Sequence, residues 1–239
     1  MSIGSFGRQL VSIPSLALYL GVMFATAIAA PAAAELAVSQ LIVELKAGPS
    51  RAADIEVYND SDERSFVSVE PREIIDPGSA MEKSRLLPDP EQLGLLVSPT
   101  RLVIEPRQRK RLRIAAIGPI PQRERIYRVT VKPVSGAVAG TETGLKLLIG
   151  YDLLVIVRPA AGAPNVELRR TGTVLTIQNR GNSSVELAEG KQCDGNGENC
   201  QPLPSKRLYS GASWQQALPR STPGEYRIRS GGDWSKFRF

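Results

Sequence analysis

The stretch "GLKLLIGYDLLVIVRPA", residues 144–160, decides how the chain must fold. From Leu145 to Val157 every odd-numbered position is apolar or aromatic: Leu145, Leu147, Ile149, Tyr151, Leu153, Val155 and Val157. The even positions mix Lys146, Gly150 and Asp152 with Leu148, Leu154 and Ile156. Strict alternation marks a β-strand with one buried row. At about 3.3 Å per residue this strand would run roughly 43 Å, well beyond the usual five or six residues. So long an apolar row needs cover, from the chain's own core or from a guest, and alternation alone does not say which. Leu148, Leu154 and Ile156 add a second apolar row that could face the internal core.

Working outward, strands and turns alternate with almost no helix. "QLIVEL" (40–45), "ADIEVYN" (53–59), "SFVSVEPREI" (65–74), "LLVSPTRLVIEP" (95–106), "RKRLRIAAI" (109–117) and "RIYRVTVKPV" (125–134) are each β-rich, with Gly, Pro, Asn or Asp between them. With the long strand they make about seven, the number of an immunoglobulin-like sandwich. The segment 75–94 is the longest loop, with one helical turn expected around residues 81–86. After the hinge "AGAPN" come shorter strands in "NVELRRTG", "TVLTIQNRG", "SSVELAEGKQC", "WQQALP", "EYRIRS" and "WSKFRF". The fold expected is all-β, two immunoglobulin-like sandwiches in tandem, with domains at 35–159 and 160–239.

The first 34 residues read as a signal peptide. Arg8 is their only charge, an apolar run follows, and Ala32, Ala33 and Ala34 offer the small-residue pattern for cleavage before Glu35. The alternative is a retained anchor, since the run is nearly long enough to span a bilayer. No other stretch is apolar enough to do so. Cleavage implies export and leaves about 205 residues, enough for two β-domains.

Composition narrows the function. The 239-residue chain has a net charge of +6, which falls to +5 without Arg8, and contains no histidine. His-based triads and His-ligated zinc are therefore excluded. The basic cluster "RQRKRLRI" (107–114) lacks the interleaved aromatics that single-stranded nucleic acid needs, so no nucleic-acid partner is expected. No G-x-S-x-G elbow or phosphate-binding glycine loop is present, so the expectation is a non-enzyme with no cofactor, metal or small-molecule substrate. The two cysteines, Cys193 and Cys200, flank "DGNGEN" and in an exported chain predict a disulfide closing a hairpin.

The order of these pieces resembles the periplasmic chaperones of the chaperone-usher pilus pathway, with divergent or archaic-type members as the better comparison. The resemblance rests on "EVYND" (56–60), "VSPTRLVIEPRQRKRLRI" (97–114), "ERIYRVTVKPV" (124–134) and a long strand ending in "VRP" (157–159) before a smaller β-domain. It implies a periplasmic protein that lends an edge strand to an incomplete immunoglobulin-like pilus subunit and passes it to an outer-membrane usher. The implied donor residues are Leu145, Leu147 and Ile149, with Tyr151 and Leu153 extending the row. Burying five such side chains is worth grossly about 7 to 15 kcal/mol before ordering and docking costs.

The family's pattern is not met everywhere. Its members usually hold the subunit's terminal carboxylate with an arginine on the first strand and a lysine near the end of the long strand. Here "SQLIVELKAG" (39–48) has no arginine and Leu154 stands where the lysine is expected. Lys46, Arg158 and Arg101 are the basic residues nearby, and none matches position for position. Arg113 and Glu124 fall where the resemblance implies an interdomain ion pair, with Asp233 as a third candidate. The competing reading is an exported structural or adhesive two-sandwich protein whose long row is buried internally.

Overall fold

A computed structural model describes residues 36–48, 51–134 and 148–239. The signal-peptide expectation and the donor candidates Leu145 and Leu147 lie outside these residues. The first sandwich consists of β1 (Leu36–Val38), β2 (Ile42–Leu45), β3 (Ala52–Asn59), β4 (Ser65–Ile75), β5 (Lys83–Arg85), the helical turn α1 (Pro90–Leu93), β6 (Leu95–Ser98), β7 (Arg101–Ile104), β8 (Arg109–Ala116), β9 (Arg125–Pro133) and β10 (Tyr151–Val157). One sheet has the order β1-β3-β8-β6. The other has the order β2-β10-β9-β4, with β5 and β7 pairing opposite halves of β4. Only β2, which runs parallel to β10, departs from antiparallel pairing among these strands.

Period-2 patterning builds the core. Ile55 and Val57 from β3 and Leu112 and Ile114 from β8 face Val129 and Val131 from β9 and Leu153 and Val155 from β10. Each fully buried side chain of this kind contributes about 1.5–3 kcal/mol. Among charged groups, Glu73 on β4 is buried between Arg125 and Arg85. Burial alone would raise its pKa, but hydrogen bonds from Arg125 and Arg85 outweigh that and hold it below the ordinary carboxylate value.

Three sequence expectations need correction. Residues 95–106 are not one strand: the chain leaves β6, paired to β8, and enters β7, paired to β4 in the other sheet. Pro99, which has no N–H for a ladder, stands at the corner. The helical turn is α1, not residues 81–86, because its signals lie there: the Asp89 side chain caps the Glu91 N–H, Pro90 opens the turn and Gly94 ends it at φ 78°. The long strand is also shorter than its pattern, since β10 begins only at Tyr151.

The second sandwich consists of β11 (Val166–Thr171), β12 (Val174–Asn179), β13 (Val185–Gln192), β14 (Gln201–Leu203), β15 (Lys206–Leu208), β16 (Ser213–Ala217), β17 (Gly224–Ser230) and β18 (Asp233–Arg238). Its sheets are β11-β12-β16 and β14-β13-β17-β18, with β15 also on β13. Tyr226 is fully buried at its centre, edge-on to Trp214 at 6.4 Å and tilted on Phe239 at 6.0 Å.

Cys193 and Cys200 are disulfide-bonded across the turn between β13 and β14, whose last pair is Gln192 with Gln201. The turn has a second brace. The Asp194 carboxylate accepts from the N–H groups of Asn196 at 3.1 Å and Glu198 at 2.8 Å and from Asn199 Nδ2 at 2.8 Å. Replacing both cysteines with Ser should therefore lower stability by only about 2 kcal/mol, the value for a short loop. Chemical unfolding measures this, and loss of the folded state at pH 7 would refute it.

Candidate functional site

The outer edge of β10 is open along its first half. β2 covers it only from Leu154, paired with Ile42, to Val157, paired with Leu45. The Leu154 N–H donates to the Leu41 carbonyl at 2.9 Å and the Arg158 N–H to the Leu45 carbonyl at 2.9 Å. By the same alternation the main-chain groups of Asp152 and Gly150 point to the side that β2 leaves open. They meet no strand there among the described residues. Unpaired strand edges of this kind accept a further strand.

Above Tyr151 the chain loses its ladder on the inner side as well. The register pairs Tyr151 with Val131, so the next hydrogen-bonded pair would be Ile149 with Pro133. Pro133 has no N–H to donate. Gly150 also sits so close to β9 that a Cβ there would meet Lys132 Cβ at 3.0 Å. Leu148 and Ile149 consequently stand clear of the core, 37% and 44% exposed. Below them the outer face of β10 is braced: Arg72 holds both Asp152 carboxylate oxygens at 3.0 Å, and the Thr130 hydroxyl donates to the same carboxylate at 2.9 Å.

The base of this edge is the joint between the sandwiches. Arg158 donates to Glu124 Oε2 at 2.8 Å, to Ser184 Oγ at 3.0 Å and to Glu44 Oε1 at 2.9 Å. The Glu124 side chain is 1% exposed. It also accepts from the Ser184 N–H at 2.7 Å and the Ser210 N–H at 3.1 Å, so a carboxylate of the first sandwich satisfies main-chain donors of the second. Buried Asn179 shapes the receiving loop by donating to the Ser183 and Leu208 carbonyls and accepting from the Gly181 N–H. Beside this ionic contact, Tyr209 packs on Ile74, Ile126, Leu154 and Ile156 of the first sandwich.

No family model matches the chain. A CS1 fimbrial protein of Escherichia coli is 24% identical over 186 residues, 73% of this chain and 77% of that relative. The class 5 fimbriae chaperone CfaA superposes with a TM-score of 0.65 at 21% identity, over 85% of this chain and 97% of its own. The fold is the fimbrial chaperone fold. Two further structures share it. The match to the Salmonella enterica SafA pilin in complex with the SafB chaperone has a TM-score of 0.63 at 21% identity, over 88% of this chain and 98% of the other. A chain of the CsuC–CsuE chaperone–tip adhesion complex of Acinetobacter baumannii gives 0.60 at 13% identity, over 86% and 98%.

Within this chaperone fold the residues named from sequence separate. Ile149 lies on the open edge. Tyr151 and Leu153 do not extend an exposed row: Leu153 is fully buried in the first sandwich's own core, and the Tyr151 hydroxyl donates to the Leu36 carbonyl at 2.8 Å. The pairing of Arg113 with Glu124 is likewise corrected. Arg113 lies on β8 and pairs with Asp54 across the strand, whereas Glu124 takes Arg158. Asp233 begins β18 and joins no ion pair among the described residues. Leu41 and Ile42, both about half exposed beside the open edge, were missed. Their signal was the unbroken run Leu41-Ile42-Val43, too apolar for every member to face one core.

Proposed function

We propose that this chain is a periplasmic chaperone of pilus assembly, which uses β-augmentation to hold an incomplete immunoglobulin-like subunit and delivers it to an outer-membrane usher. The observation that carries this reading is the half-open edge of β10, lined by exposed Leu148 and Ile149 and ending where β2 begins. The SafA–SafB complex, in which a chaperone of this fold holds a pilin, supports it. Leu145, Leu147 and Ile149 are the side chains lent to the subunit groove, while the edge main chain of Gly150 and Asp152 supplies the ladder. This is a binding function and requires no catalytic group.

The test is the double replacement Leu147→Asp with Ile149→Asp, assayed by co-purification of a coexpressed fimbrial subunit. Capture should fall at least about 100-fold, since an unpaired carboxylate in an apolar groove costs several kcal/mol. The free variant should still melt within about 2 °C of wild type, as exposed substitutions do. Unfolding of the free variant would instead favour the structural two-sandwich protein, and intact capture would move the subunit to another edge.

A further inference from the structure

The lower end of the open edge differs chemically from the rest. β2 joins β10 at the pair Ile42–Leu154, so any strand laid along the edge must stop or turn away there. What it meets at that point is apolar: Leu41 is 54% exposed and Ile42 46% exposed. Across from Ile42, Leu154 is buried under Tyr209 and offers no polar group.

The nearby charges do not change this. The cleft beside β2, about 310 Å³, is lined among others by Glu44, Lys46, Arg158 and Ser184. Arg158 is already saturated by Glu44, Glu124 and the Ser184 hydroxyl. Lys46 is exposed and has no ion-pair partner among the described residues. It lies four residues beyond Ile42, about 13 Å along an extended chain. That exceeds the screening length of about 8 Å at physiological salt. Together Glu44, Lys46, Glu124 and Arg158 sum to zero charge.

Resting on the chaperone reading, we infer that Leu41 and Ile42 recognise the end of the subunit's edge strand through an apolar side chain, without requiring its free carboxylate. The occupant is the last apolar residue of the strand aligned on β10. Two half-exposed aliphatic side chains at the end of a hydrogen-bonding edge give it a dry contact. A carboxylate at the same place would lose water and gain no counter-ion.

The experiment uses the full chain coexpressed with the fimbrial subunit of the preceding test. Leu41→Asp with Ile42→Asp should lower capture at least about tenfold while the free variant keeps its melting temperature, and Lys46→Ala should change capture less than about twofold. Adding Gly-Ser-Gly-Ser after the subunit's last residue should leave capture within about threefold, whereas changing its last apolar residue to Asp should cost at least about tenfold. A tenfold loss with Lys46→Ala or with the added tail overturns the inference, as does full capture by the double-Asp variant. Either result leaves the chaperone reading standing if the wild-type chain captures the subunit. Failure of wild-type capture overturns both.

Discussion

Replacing Leu153 with Asp will unfold the first sandwich, whereas the same replacement at Ile149, in the same alternating row, will leave the free protein's melting temperature within about 2 °C of wild type. Leu153 is fully buried among the core residues of both sheets. Its loss removes about 1.5–3 kcal/mol of burial, and the carboxylate that replaces it finds no partner, which costs several kcal/mol more. That total approaches the 5–15 kcal/mol by which a typical domain is stable. Ile149 is 44% exposed and lies above the last complete ladder pair, so a charge there stays in water. Thermal unfolding of the two single variants measures the contrast. Equal melting temperatures would show that the division of the row does not fall between Ile149 and Tyr151.

The second large effect is at the joint. Glu124→Ala should cost about 3–5 kcal/mol, the range for removing one partner of a buried ion pair. It leaves Arg158 with Glu44 alone and strips an acceptor from the main-chain N–H groups of Ser184 and Ser210. Calorimetry should then resolve two transitions, one per sandwich, where the wild-type chain gives one. Arg113→Ala is the control. Its partner Asp54 is on a solvent-facing sheet surface, so stability should not change beyond experimental error. A harmless Glu124→Ala, or an Arg113→Ala of equal severity, would mean that the sandwiches are held by the Tyr209 contact instead.

These two contrasts also mark where the sequence was sufficient. Alternation in residues 53–59, 65–74 and 125–134 placed β3, β4 and β9 almost to the residue, because a period of two is a property of the strand itself. The hairpin disulfide was equally legible, since Cys193 and Cys200 are separated by a turn of the right composition and length. The cap, proline and glycine of α1 were present in the sequence too, although the turn was expected elsewhere.

The candidate site was legible only in part. Thirteen alternating positions established a strand with one apolar row, but which members fill the chain's own core depends on the strand beside it. Pro133, sixteen residues before Ile149, ends the hydrogen-bonded register there, and β2, more than a hundred residues away in sequence, covers the other edge only from Leu154 onward. Arg158 was visible as a charge, but its role came from Glu44, Glu124 and Ser184, brought together by three separate strand connections. Local pattern records which faces must be dry. Burial and charge compensation belong to contacts between distant segments, so only the tertiary structure decided that Leu153 stays inside, Ile149 stays out and Glu124 ties the two sandwiches together.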